Sequence, residues 1–126
     1  MNAFSEALTA LGTDHIRLAY HYADVGDADA YGSLLDTDVD IEAPGFLYGR
    51  GRAEVQQQAA RLVPGQTRHQ IHLVIADQRS IVVVGTARTG HSAATTEFTD
   101  VFILSRDALI LRQRRYLARR DTSTNA

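Results

Sequence analysis

Residues 22–42 read YADVGDADAYGSLLDTDVDIE, and the first ten of them carry three carboxylates, Asp24, Asp27 and Asp29. A calcium loop sets oxygen ligands at alternating positions over about twelve residues, with Gly at the sixth and a bidentate Glu at the end. These aspartates do not keep that spacing and no Glu closes the segment, so a metal loop is not expected. The segment reads instead as a junction between helices. Gly26 suits the left-handed residue that follows a helix, and Asp27 suits the cap of the next one. Asp29 in the new first turn complements the helix dipole. Asp24 is left unexplained, because a carboxylate near a helix C-terminus meets the unfavourable end of the dipole. It is either a solvated helix end or a site residue.

Upstream, Phe4, Leu8, Leu11, His15, Leu18 and Tyr22 are spaced four and three apart and predict one apolar stripe of a helix running to about Asp24. Gly12-Thr13 is a possible break in it, with Thr13 as a second cap. Downstream, Ala28 to Leu35 predicts a short second helix. Asp38 to Pro44 alternates with period two and predicts a strand, Val39, Ile41 and Ala43 on one face and Asp38, Asp40 and Glu42 on the other.

Residues 45–51 read as a loop, and Arg52 to Val63 as a third helix stopped by Pro64-Gly65. From Arg68 the pattern becomes alternating and β-branched, predicting strands over 68–77, 80–90, 94–105 and 108–118, consecutive and therefore antiparallel. The order αα-β-α-ββββ is an α+β layout with helices on one face of a curved antiparallel sheet. Residues 1–118 read as a single domain and 119–126 as a polar tail.

The length of 126 residues suffices for one well-buried core. Uninterrupted apolar runs, such as Ile81 to Val84, are far short of the roughly 20 residues of a spanning helix. The N-terminus lacks the pattern of a secretory leader, which sets the expectation of a cytoplasmic, membrane-free protein. No cysteine is present, so disulfides, thiolate metal sites and cysteine nucleophiles are excluded. The formal net charge is −2, and the basic stretch Arg112, Arg114, Arg115, Arg119 and Arg120 has no nucleic-acid motif around it. Nucleic-acid binding is not expected.

The element order, with "YADVGDADAYGSLLDTDVDIE" at 22–42, "GRGRAEV" at 49–55, "TRHQIHLVIAD" at 67–77 and "FTDVFIL" at 98–104, resembles the nuclear-transport-factor-2-like superfamily. The similarity is greatest to its SnoaL-like branch of polyketide cyclases, ketosteroid isomerases and scytalone dehydratase. It implies a conical half-barrel with three helices on the concave face, an apolar pocket for a small substrate, cofactor-free chemistry and a homodimer formed through the sheet.

The same resemblance assigns His69 as the acid/base, Asp24 as its orienter, Asp100 as hydrogen-bond donor or charge stabiliser, and Tyr20 as an assisting group. Histidine's ordinary pKa of about 6.5 suits proton transfer near neutral pH. His72 is three residues from His69, so the two point to opposite faces of their strand. The pocket wall is assigned to Ile41, Ala43, Phe98, Phe102, Tyr116 and Arg114. Arg112, Arg114 and Tyr116 share one face of the last strand and Leu109, Leu111, Gln113 and Arg115 the other; spacing alone leaves open which set faces inward. Ala43 stands where the isomerases carry a general base and scytalone dehydratase a tyrosine, and Phe98 where limonene epoxide hydrolase carries an Arg. The expected activity is therefore that of a cyclase, dehydratase or isomerase. The alternatives are a non-catalytic ligand-binding or dimerisation module, and the small subunit of a ring-hydroxylating oxygenase.

Overall fold

Ser5 opens the first helix by accepting a hydrogen bond from the Leu8 amide at 3.2 Å, and Gly26, at φ 82°, closes it. The amides of Gly26 and Asp27 turn back onto the carbonyls of Ala23 and Tyr22, so the helix end uses its free acceptors. In the computed structural model, which describes residues 4–118, this helix α1 (Glu6–Val25) is followed by α2 (Ala28–Gly32), capped by the Asp27 carboxylate on the Ala30 amide at 3.1 Å.

The open question of a break at Gly12 is resolved, and two details differ from the sequence expectation. Helix α1 is continuous through Gly12, where a Cβ would collide with Leu104; the glycine lets the helix approach the sheet rather than breaking it. The buried face is Gly12, Ile16, Ala19, Tyr20 and Ala23, one residue round from the expected stripe, and Leu11 and Leu18 are exposed. Small residues at the contact let Ile16 and Tyr20 reach the core, whereas leucines there would hold the helix away. Helix α2 stops before Leu34-Leu35, because the Leu34 carbonyl accepts from the Ile110 amide at 2.9 Å and draws these two buried leucines into the sheet.

The strands are β1 (Leu35–Ala43), β2 (Leu47–Arg50), β3 (Thr67–Asp77), β4 (Ser80–Thr89), β5 (Thr96–Leu104) and β6 (Ile110–Leu117), with α3 (Arg52–Ala60) between β2 and β3. Strand β2 lies inside the expected loop. Pro44 and Gly45, the latter at φ 76°, form a tight turn closed by the Phe46 amide on the Ala43 carbonyl at 2.9 Å, so the chain doubles back and pairs with β1.

The six strands form one curved, unclosed sheet in the order β2-β1-β6-β5-β4-β3, with the three helices over it. All pairs are antiparallel except β1 with β6, which corrects the fully antiparallel expectation. The reason is the route: α3 carries the chain from β2 to the far edge, and three successive hairpins bring β6 back alongside β1 in the same direction. Register shifts in β1, β3 and at the β5–β6 end bend the strands around the core. No described helix is long and apolar enough to cross a membrane. The expected tail, 119–126, lies outside the described residues.

The register of β5 and β6 decides which arginine faces inward. Asp100 is directly opposite Arg115, and both are buried. Arg115 grips Asp100 through Nε and Nη2, each at 2.8 Å, while Arg114 points outward to Asp40 at 3.0 Å and Glu42 at 2.9 Å. Tyr116 is 60% exposed. Arg114 and Tyr116 are thus not part of the inner wall: opposed residues of an antiparallel pair share a face, and the inward phase belongs to Gln113 and Arg115.

Two stability outcomes follow. Gly26→Ala should cost roughly 1–2 kcal/mol for the left-handed backbone alone, with an added clash because the new Cβ would come within 2.6 Å of Pro64 Cγ; an unchanged urea midpoint would contradict this account of the junction. Asp100→Ala should cost about 3–5 kcal/mol by leaving Arg115 charged and unpaired, and replacing both residues with apolar ones should recover much of it. A single variant as stable as the wild type would remove the ion pair from the list of fold determinants.

Candidate functional site

The last turn of α1 and the start of β3 meet at Asp24 and His69. Asp24 Oδ1 lies 2.6 Å from His69 Nδ1, and Oδ2 accepts the His69 backbone amide at 2.7 Å. The Gly65 amide donates to the Asp24 carbonyl at 2.8 Å, tying the helix end to the loop before β3. Because a carboxylate only accepts, Nδ1 carries the hydrogen, and in the neutral ring Nε2 presents a lone pair. The His69 side chain is fully buried, and Nε2 has no hydrogen-bond partner among the described residues. Its ring is enclosed by Tyr20 at 5.1 Å, Phe46 at 4.8 Å and Phe98 at 5.5 Å between centroids. A buried ring nitrogen without a protein partner can accept a hydrogen bond from a water or a ligand.

A second polar group lies beside the first. Tyr20 donates its hydroxyl to Asp100 Oδ2 at 2.5 Å, and Gln113 Nε2 reaches the same oxygen at 3.1 Å. With the two bonds from Arg115, four donors converge on one carboxylate. Asp100 is therefore an acceptor in every contact and is paired with the Arg115 guanidinium, so of its two expected roles, hydrogen-bond donor or charge stabiliser, these contacts do not give it the donor's. Burial, reinforced by the Asp100 charge and hydrogen bond, holds the Tyr20 hydroxyl well above the ordinary tyrosine range, so it stays protonated. Burial and the same charge also raise Tyr31. Arg115 in turn lies over Phe98 at 4.1 Å and Phe46 at 4.9 Å.

Ile41, Ala43, Phe98 and Phe102 are buried on the inner side. His72 faces out, with Nε2 3.2 Å from Thr86 Oγ1. The three aspartates of the opening segment take separate partners: Asp24 holds His69, Asp27 caps α2, and Asp29 accepts from Gln56 Nε2 at 3.0 Å. A small space inside the cone, bounded by Ala19, Tyr20, Tyr31, Phe46, Phe102 and Gln113, is about 10 Å³. That is room for a single water. A larger groove of about 610 Å³, lined by Glu42, Tyr48, Val101, Ile103, Arg112, Arg114 and Tyr116 among others, is on the other side of the sheet.

Arg115, Gln113, Tyr31 and Phe46 were not singled out by sequence. Gln113 and Arg115 carried a usable signal, since two polar residues alternating among apolar ones in a strand require partners if they face inward. Phe46, in a presumed loop, carried none.

Residues 16–113 match the family model described as a SnoaL-like domain. A search of curated proteins returns no significant match. Among solved structures, a protein of cystatin-like fold from Methylobium petroleophilum PM1 superposes with a TM-score of 0.76 at 16% identity, over 91% of this chain and 80% of that one. A ketosteroid isomerase so named as putative, from Kribbella flavida DSM 17836, gives 0.74 at 17% identity over 90% and 82%. An LEH-like epoxide hydrolase from M. tuberculosis gives 0.73 at 21% identity over 87% and 84%. At these identities the structural likenesses speak for the fold. The match over most of the chain shows that this protein belongs to the SnoaL-like domain family.

Proposed function

We propose that the chain is a cofactor-free acid/base enzyme, a cyclase, dehydratase or isomerase, acting on a small, largely apolar molecule held in the cone. The observation that carries this reading is the buried Nε2 of His69, unpartnered while Asp24 holds the opposite ring nitrogen. Nε2 is the atom that takes or gives the proton. Asp24 orients the ring and stabilises the imidazolium formed when Nε2 accepts one, the role a carboxylate plays behind a catalytic histidine. Ala43 has no proton to transfer, so that work falls to His69.

Asp100 acts one step back. Its carboxylate, neutralised by Arg115, holds the Tyr20 hydroxyl, and Tyr20 packs its ring on His69. Tyr20 and Asp100 are thus positioning residues for the base, while Ile41, Ala43, Phe98 and Phe102 supply apolar walls. The isomerase and epoxide hydrolase named among proteins of the same fold fit this reaction class. The second reading, a non-catalytic binding module, draws on the filled cone, since about 10 Å³ admits no substrate without movement. Pairing of two copies through the outer sheet face, where Tyr48, Tyr116, Leu73 and Ile75 are exposed, belongs to the same proposal.

Proton abstraction can be followed without the natural substrate, as deuterium exchange at the α-carbon of 2-tetralone in D2O by proton NMR. Wild type should exceed the buffer rate, and His69→Ala and Asp24→Asn should each lower the excess at least tenfold with their urea midpoints still measurable. Equal rates in wild type and His69→Ala would sink the assignment of the base, and no excess in wild type would favour the module. Sedimentation velocity should give a dimer; a monomer at all micromolar concentrations would count against pairing through the sheet.

A further inference from the structure

Of the six residues bounding the small space in the cone, five lie on regular elements: Ala19 and Tyr20 on α1, Tyr31 on α2, Phe102 on β5 and Gln113 on β6. The sixth, Phe46, is in the Pro44–Phe46 turn and is only partly buried. Its ring touches the His69 imidazole edge-on at 4.8 Å and lies 4.9 Å from the Arg115 guanidinium. Phe46 therefore borders both the residual cavity and the base. Tyr20 and Gln113 are held by hydrogen bonds to Asp100, and Tyr31 and Phe102 are buried with no room to turn, whereas the partly exposed Phe46 can rotate about its Cα–Cβ bond with no side-chain hydrogen bond to lose. Gly45 beside it has open space around it.

We infer that the Phe46 ring occupies the ligand seat: a slot between Arg115 and His69 that a flat, unsaturated ring enters by taking Phe46's place. The chemistry of the slot selects such an occupant. Arg115 has aromatic faces on two sides, Phe98 at 4.1 Å and Phe46 at 4.9 Å, and when Phe46 leaves, the guanidinium keeps its second π contact only if the incoming group carries a π-face. A saturated ring of equal size fills the volume without that attraction. Such an occupant, in Phe46's place, sits edge to face with the His69 ring.

This inference rests on reading the cone as a small-molecule site, but its test is binding rather than turnover. The probes are 2-naphthol and its saturated counterpart decahydro-2-naphthol, titrated calorimetrically into wild type, Phe46→Ala and Phe46→Leu. Phe46→Ala, relieved of its own ring, should bind 2-naphthol at least tenfold more tightly than wild type, with Phe46→Leu between them and the saturated probe at least tenfold weaker in Phe46→Ala. Equal affinity for wild type and variants, no binding in any, or no preference for the unsaturated probe would overturn it. Should Phe46→Ala fail to fold, the comparison of wild type with Phe46→Leu carries the same test. Naphthol binding without proton exchange in wild type defeats the catalytic reading alone; His69-dependent exchange without tighter naphthol binding in the variants defeats this inference alone.

Discussion

The contact between Asp100 and Arg115 constrains everything around it. A carboxylate taken out of water in the middle of a sheet is tolerated only when it is neutralised and hydrogen-bonded on all sides. Here four donors from two elements converge on it, from Tyr20 of α1 and from Gln113 and two nitrogens of Arg115 on β6. Meeting that requirement fixes the register of β5 against β6, because a one-residue slip would turn either Asp100 or Arg115 to the outer face. It also sets the rotation of α1, since Tyr20 must point down at the sheet. The guanidinium, once buried, gathers Phe98 and Phe46 about it, and those rings close over His69.

His69 presents the opposite situation. Every oxygen of Asp100 is used, whereas Nε2 of His69 is surrounded by aromatic rings and bonded to nothing in the described residues. The contrast separates the two polar groups by role. A saturated ion pair in a protein interior favours a single arrangement and has no free valence to offer a substrate. A half-satisfied histidine, held by a carboxylate on one side, is less favourable for the fold and open to a proton on the other. On the proposed reading the chemistry belongs to the His69–Asp24 side and the rigidity to the Asp100 side, although the sequence offered both carboxylates as site residues.

Much of this was legible in the residues themselves. Gly26 and Asp27 announce the helix junction through backbone conformation and capping, properties of single residues that tertiary context seldom overrides, and the period-two pattern after Arg68 announces the strands. Asp24 stood out because the dipole gave it no reason to be there. What escaped were features that depend on distant partners. The four residues of β2 are too few to show an alternation, and they are a strand only because the Pro44–Gly45 turn lays them against β1. The inward phase of β6 depends on a register shift near Ile103 that reverses the alternation between Ile110 and Gln113, so Arg114 and Arg115 could not be told apart by spacing. The buried face of α1 lies one residue round from the stripe of large apolar side chains, because close packing favours the small residues Gly12, Ala19 and Ala23, with Gly12 against Leu104.

That narrow face of α1 links the two polar groups. Tyr20 and Asp24 are four residues apart, on adjacent turns of the same side, so one helix brings the first to Asp100 and the second to His69. Bulkier residues at the small positions would lift the helix and lengthen both contacts together, which couples the positioning of the base to the core packing of the sheet. The same closeness leaves the cone nearly full. On the inference drawn from Phe46, a ligand does not add its volume to such a site but exchanges with that ring. Its affinity is then a difference between two similar aromatic contacts, to which a hydrogen-bonding group, absent from Phe46, adds.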